Sequence, residues 1–446
     1  MKAGFAKIDI TPRVGFELSG FGPYLGRRST FIRDNLWARG MALQSQDTST
    51  VLVSCDIIGI TPRTLELARK YFAEQTGWAP QSLMIHCIHT HSGPPADFLN
   101  GWGVADVPYI EILPFKIAQA AINAIQNLTE ATVAHAEVPC EGIGLNREYD
   151  KDAPPLEDVL KESWRPAKPE LTDTTCHVIK FHDASTGKTI GFCSYFGCHP
   201  VCCCQLTHHI HGDYAGIATN NLEREFDSPV VGLFLQGAQG DVNSCCVHKP
   251  EQESLLALDV IAARYARAVR NGLKKAAEFE ASIIKFANHK VKFTRKMASV
   301  PELKEKLAEF EAQFQRPDAS ENDSKLRLVV VKAVAYRKII DMIESGKDLG
   351  APIEIQGIRI GKITLLGAPF EIMQMIKNEV KQDAKSPVPL VMGLTNGSWG
   401  YLPDRVCAAR GGYAQDFVPF MKSTLPLANG HDELKNALLK LDAELN

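Results

Sequence analysis

Three stretches of the chain place imidazoles or carboxylates where an apolar run ends. "IHCIHTHSGPP" (85–95) puts His86, His89 and His91 at the exit of such a run, ahead of a Gly-Pro turn. On an extended segment His89 and His91, two apart, point to the same side. Two imidazoles converging there suit a transition metal, one as ligand and the other as ligand or general base; a hydrogen-bonded pair at a turn fits the same spacing. "YFGCHPV" (195–201) repeats the pattern, with His199 at the strand end and a proline that stops further pairing. "LLGAPFE" (365–371) offers Glu371 at what reads as a helix start, where the helix dipole favours a carboxylate in any case. "LFLQGAQGDVNSCC" (233–246) runs into a Gly-rich turn tipped by Asp241, Asn243 and Ser244. Such a turn lets backbone approach a ligand closely, but neither the Walker nor the dinucleotide spacing is present.

The densest cluster of soft ligands is "CHPVCCCQLTHHIHGD" (198–213), with four cysteines and four histidines. Cys202, Cys203 and Cys204 are consecutive, as are Cys245 and Cys246, so neither run has the two-residue gap that lets paired thiolates share one tetrahedral ion. On an extended run, neighbours face opposite ways. The expectation is one ligand, His199, followed by a pocket wall, with His208, His209 and His211 in a polar loop. A thiolate metal cluster is the alternative.

These residues need a scaffold that brings strand ends together. Strand-like runs such as "GFAKIDI", "TVLVSCDII", "CHVIKFH" and "VVGLFLQG" alternate with helical stretches at 63–75, 114–128 and 213–226. The fold class is therefore α/β: one large multilayer domain over 1–446, with mixed β-sheets flanked by helices and a helical hairpin around 301–347. Two strand–helix–strand units echo each other, "TVLVSCDII" to "SLMIHCIHTH" and "KITLLGAPFE" to "PLVMGLTNGSWGY", and in α/β sheets the carboxyl ends of strands bind ligands. At 446 residues, 45% hydrophobic and with a net charge of −3, the chain can bury a large core and gives no sign of binding nucleic acid. No secretory leader or membrane span is apparent, so a cytoplasmic location is expected.

Taken together, "AGFAKIDITP", "LSGFG", "HTHSGP" (89–94), "GLNR" (144–147), "HP" (199–200), "GDYAG" (212–216), "GDV" (240–242), "GAPFE" (367–371) and "GYLP" (400–403) resemble, in order and spacing, the N-terminal hydrolase domain of the neutral/alkaline non-lysosomal ceramidase family. The resemblance implies one zinc ion per chain, held by His89, His199, Glu371 and Tyr401. It also implies that His91 transfers protons, that Arg147 binds a polar or carboxylate group of the substrate, and that Tyr413 faces the reacting carbonyl.

Those residues would make a hydrolase that cleaves a linear amide with metal-activated water. Tyr413 and the 240–244 turn would donate to the oxyanion. The family carries a serine after "GDV", whereas this chain has Asn243, with Ser244 one step later. Asparagine can donate a hydrogen bond but cannot act as a nucleophile, which leaves the metal route. The expected partner is a small amide or lipid-like molecule, smaller and more soluble than ceramide, and a homo-oligomer is open. The alternatives are ester or lactone hydrolysis, a lyase step on a polyol at the same metal, or a non-catalytic metal- or thiol-sensing protein.

Overall fold

The alternating sequence of the first strand, Lys2–Asp9, pairs with Trp37–Gln44 along its whole length, but with Thr129–Pro139 through two residue pairs only, Lys2↔Glu130 and Ala3↔Thr129. In the computed structural model, which describes residues 1–150 and 154–446, that short seam joins two halves of one long sheet. One half continues from Trp37–Gln44 to Ser49–Cys55 and Leu83–Cys87; the other runs from Thr129–Pro139 through Thr175–Asp183 and Thr189–Phe196 to Val231–Gln236. The sheet folds over at the seam, so its end strands meet. Ser54 Oγ donates to Phe234 O at 2.7 Å, and Gln236 N–H donates to His86 Nε2 at 2.8 Å.

A second sheet, Ile284–Val291, Ile353–Ile360, Ile363–Gly367 and Val388–Met392, packs its apolar residues into the same interior. Phe5, Leu52, Phe181, Leu235, Ile358 and Leu365 meet in one cluster. Helices cover the outer faces: Pro62–Thr76 and Val107–Gln126 on the first half-sheet, Asp213–Glu223 and Glu251–Lys275 on the second, and Gln374–Asp383 and Gly430–Leu445 on the second sheet. This is the expected mixed multilayer α/β architecture. Buried Arg39 ties layers together, bonding Asp56 at 2.6 Å, Glu223 at 3.2 Å and Asn220 at 2.5 Å.

Both strand–helix–strand echoes are real parallel units. The helix of the first is bounded by local chemistry: the Thr61 side chain caps it, Pro62 opens it, and Gly77 closes it at φ 71°. The second differs from the sequence reading. Its helix starts at Gln374, and Glu371 lies before it, in the two-residue strand Glu371–Ile372. The hairpin forms as expected from Val300–Phe314 and Ser324–Glu344, opened by a Ser299–Glu302 capping box. It packs against the segment that follows Tyr413, with Tyr336 over Phe420 and Val331 beside Phe417. Among the described residues no helix is long and apolar enough to cross a membrane.

Candidate active site

The ends of four separated segments converge on one buried point. His89 follows the strand Leu83–Cys87, and His199 follows Thr189–Phe196. Glu371 and Tyr401 are register partners in a two-residue parallel ladder. The segment bearing His89 and His91 is not extended, as its spacing had suggested. His89 has φ 71°, a left-handed conformation that is strained for a residue with a β-carbon. The turn still brings the two rings together, with centroids 4.9 Å apart, and His199 lies 4.8 Å from His89 and 5.3 Å from His91.

Backbone carbonyls fix how these rings point. His89 Nδ1 donates to Ile58 O at 2.6 Å and His199 Nδ1 to Gln239 O at 3.0 Å, which turns each Nε2 toward Glu371. Glu371 Oε2 is 3.4 Å from His89 Nε2 and 3.3 Å from His199 Nε2. Those separations match the edge of a tetrahedron, about 3.3–3.4 Å, around an ion with bonds of about 2.0–2.1 Å. His199 Nε2 and Glu371 Oε2 are buried without a hydrogen-bond partner, as are both ring nitrogens of His91. The donor set and its spacing fit a zinc ion.

The charges agree. Burial alone would lower the His89 pKa, but the Glu371 carboxylate outweighs it and holds the ring above its ordinary value. Burial pushes His91 and His199 well below theirs, helped by the positive charge at His89, so both rings are neutral. Glu371 is held down, against its own burial, by His89, Arg147 and the Tyr401 hydroxyl. Burial raises the Tyr401 phenol well above its usual range and moves Tyr413 up to about 12.

Arg147 lies over the Tyr401 ring, 4.7 Å from its centre, and donates to Gly240 O at 2.8 Å and Asn243 Oδ1 at 3.4 Å. Asn243 sits in the short strand Val242–Ser244, paired with Gly144–Asn146, and not at a turn tip. It bridges His199, and with its oxygen turned to Arg147 its amide nitrogen remains available. The Gly-rich turn approaches protein backbone: a β-carbon on Gly240 would lie 2.5 Å from Glu371 O. Tyr413 is half-exposed, with its ring 6.1 Å from that of Tyr401.

All eight sequence-derived site residues thus gather in one region. Others carried no visible signal, including the carbonyls of Ile58 and Gln239, and Gly20, whose β-carbon would fall 2.5 Å from that of His91. His86 lies outside the cluster. Cys198, Cys202, Cys203, Cys245 and Cys246 belong to an apolar core cluster, and burial pushes their thiols up, so these cysteines are core packing where a pocket wall was expected. Asp213 holds it by accepting from Cys202 N–H at 3.0 Å, and the Tyr214 hydroxyl donates to Cys198 O at 2.8 Å, next to His199. His211 is buried and not in a polar loop. Among the described residues only one other group of potential metal ligands converges, His135, Glu137 and His177, and neither group contains a cysteine.

The family model described as neutral/alkaline non-lysosomal ceramidase, N-terminal, matches residues 1–253. The chain belongs to that family. The ceramidase match takes in His89, His91, Arg147, His199 and Asn243 and ends before Glu371, Tyr401 and Tyr413. Solved ceramidases share the fold over the whole chain. A crystal structure of neutral ceramidase from Pseudomonas aeruginosa superposes with a TM-score of 0.75 at 19% identity, covering 100% of this chain and 74% of that one. A ceramidase complexed with C2 gives 0.74 at 18%, covering 100% and 75%.

Proposed function

We propose that this ceramidase-family chain is a zinc-dependent hydrolase of linear N-acyl amides, a single domain over 1–446 acting in the cytoplasm on a substrate smaller and more soluble than ceramide. The observation that carries the reading is the Glu371 carboxylate oxygen 3.4 Å and 3.3 Å from two imidazole nitrogens whose other nitrogens are tied to carbonyls. His89, His199, Glu371 and Tyr401 would hold the ion, which supplies Lewis acidity to a carbonyl oxygen and lowers the pKa of water.

The chain's own groups do the rest. His91, neutral and with both nitrogens unpaired, accepts a proton from the attacking water and passes it to the leaving amine. The Asn243 amide N–H and the Tyr413 hydroxyl, protonated at neutral pH, donate to the developing oxyanion. Arg147 orients Asn243 and balances the Glu371 charge. Asn243 cannot attack, and the Ser244 hydroxyl is buried against Cys202 Sγ and Cys246 O, which favours direct attack by water.

The test is metal content and turnover on one preparation. The purified protein carries one zinc per chain, His89→Ala removes it, and a Cys202/Cys203/Cys204 triple serine variant keeps it. The loaded protein is then screened on N-acyl amines, esters and lactones. Turnover of esters or lactones with none of amides would overturn the amidase reading. Loss of metal from the triple variant, with retention in His89→Ala, would overturn the site.

A further inference from the structure

Four arginines are buried almost completely among the described residues: Arg27, Arg39, Arg69 and Arg264. A guanidinium in that position is costly unless it is paired or its N–H groups are all used. Arg39 meets Asp56 and Glu223, and Arg69 forks onto Glu354 at 3.0 Å and 2.8 Å. Arg264 spends both terminal nitrogens on the carbonyls of Gly142, Val159, Leu160 and Lys161.

Arg27 has neither solution, though it is only 3% exposed. Its Nη2 donates to Ser19 O at 2.6 Å and His91 O at 2.5 Å, and its guanidinium lies 4.7 Å from the centre of the Phe21 ring. Nε and Nη1 are buried with no partner. Burial lowers its pKa to about 10, and no carboxylate is among the groups that oppose this. Its neighbours are donors in the same condition: the hydroxyls of Ser19 and Ser92 are buried and unpartnered. Phe21 stacks edge-on against His91, 5.5 Å between centres, so the cation and the proton-transfer group share one aromatic neighbour.

We propose that Arg27 recognises an anionic group on the substrate, so that the site takes small N-acyl compounds carrying a carboxylate. The carboxylate accepts from the free Nε–H and Nη1–H groups while the amide carbonyl lies at the histidine cluster. A charge-assisted pair of this kind completes a buried guanidinium that has two unpartnered nitrogens. Water adds to the amide carbonyl, the C–N bond breaks, and the amine leaves with the proton carried by His91. The assignment rests on the hydrolase reading for the reaction, but not for the binding.

The test compares N-acylglycines with N-acylethanolamines of the same acyl length, which differ in charge at the distal end. The zinc-loaded wild type prefers the acid, and Arg27→Gln collapses the acid-to-neutral ratio of kcat/KM by about 100-fold, through KM, with zinc content unchanged. Arg27→Lys restores part of the ratio by supplying a point charge without the fork, and it serves alone if Arg27→Gln does not fold. Calorimetric binding of N-acylglycine is measured alongside. Binding by the wild type that the variants lose or weaken upholds the proposal even if no amide is cleaved, in which case only the reaction assignment fails. Equal loss on both substrates, or wild-type indifference to the carboxylate in binding and turnover, overturns it and leaves Arg27 a structural residue solvated by buried water.

Discussion

Lowering the pH should weaken this protein through His86, by an amount the structure allows to be worked out. The ring is fully buried; its Nε2 accepts the Gln236 N–H at 2.8 Å, and its Nδ1 faces Thr395 Oγ1 at 3.3 Å. It must be neutral, since a proton on Nε2 would meet another N–H. Burial takes its pKa from an ordinary 6.5 down to about 3. The folded state therefore binds fewer protons than the unfolded chain between those values, so this contribution is intact above about pH 6.5 and is lost as the pH falls toward 3. At about 1.4 kcal/mol per unit the full loss is about 5 kcal/mol, of which about 2 kcal/mol falls between about pH 7.5 and pH 5. The measurement is urea unfolding, followed by tryptophan fluorescence, of the wild type and His86→Gln at both pH values. Glutamine can accept the same N–H but does not titrate, and the other buried histidines cancel in the comparison. The wild type should lose about 2 kcal/mol more than the variant. Parallel losses would refute the assignment of a neutral, acceptor His86.

Three further outcomes test other parts of the structure. Arg39→Met strands the buried carboxylates of Asp56 and Glu223 and should cost about 3–5 kcal/mol in urea unfolding at neutral pH. Gly20→Ala puts a β-carbon 2.5 Å from that of His91, at φ +119°, and should lower kcat about 100-fold with zinc content unchanged, which tests His91 as a group beside the ion rather than on it. Gly240→Ala drives its β-carbon to 2.5 Å from Glu371 O, a backbone atom that cannot swing aside. It should weaken zinc binding about 10–100-fold in a chelator competition, as expected when a ligand loses its support.

Much of this was legible because apolar runs that end in a polar group mark strand exits. His89, His199 and Glu371 all stand at such exits, and both strand–helix–strand echoes proved parallel. Period and spacing could not show the left-handed turn at His89, which depends on the packing around it, so the two histidines converge for a different reason than the one inferred. The start of a helix and a two-residue strand look alike in "APFEI", and only the pairing of Glu371 with Tyr401 distinguishes them. The cysteines misled by composition, since the loop is specified by Asp213 and Tyr214, whose bonds to its backbone leave no periodic trace. Arg27 is invisible for a related reason: what distinguishes it is that Nε and Nη1 are buried without partners, which depends on packing and leaves no trace in the sequence.

The spread of the cluster along the chain also sets a clock on biosynthesis. His89 and Tyr401 are separated by roughly 300 residues, which at roughly 5–20 residues per second take about 15–60 s to translate. Over most of that interval a nascent chain can present the imidazoles of His89 and His199, but not the carboxylate of Glu371 that they face. Until the ladder between Glu371 and Tyr401 closes, the histidine half has no counter-charge, and a growing chain that captures an ion then holds it with an incomplete ligand set. On the metal reading proposed above, the ligand set is therefore completed only at the last stage of synthesis or after it.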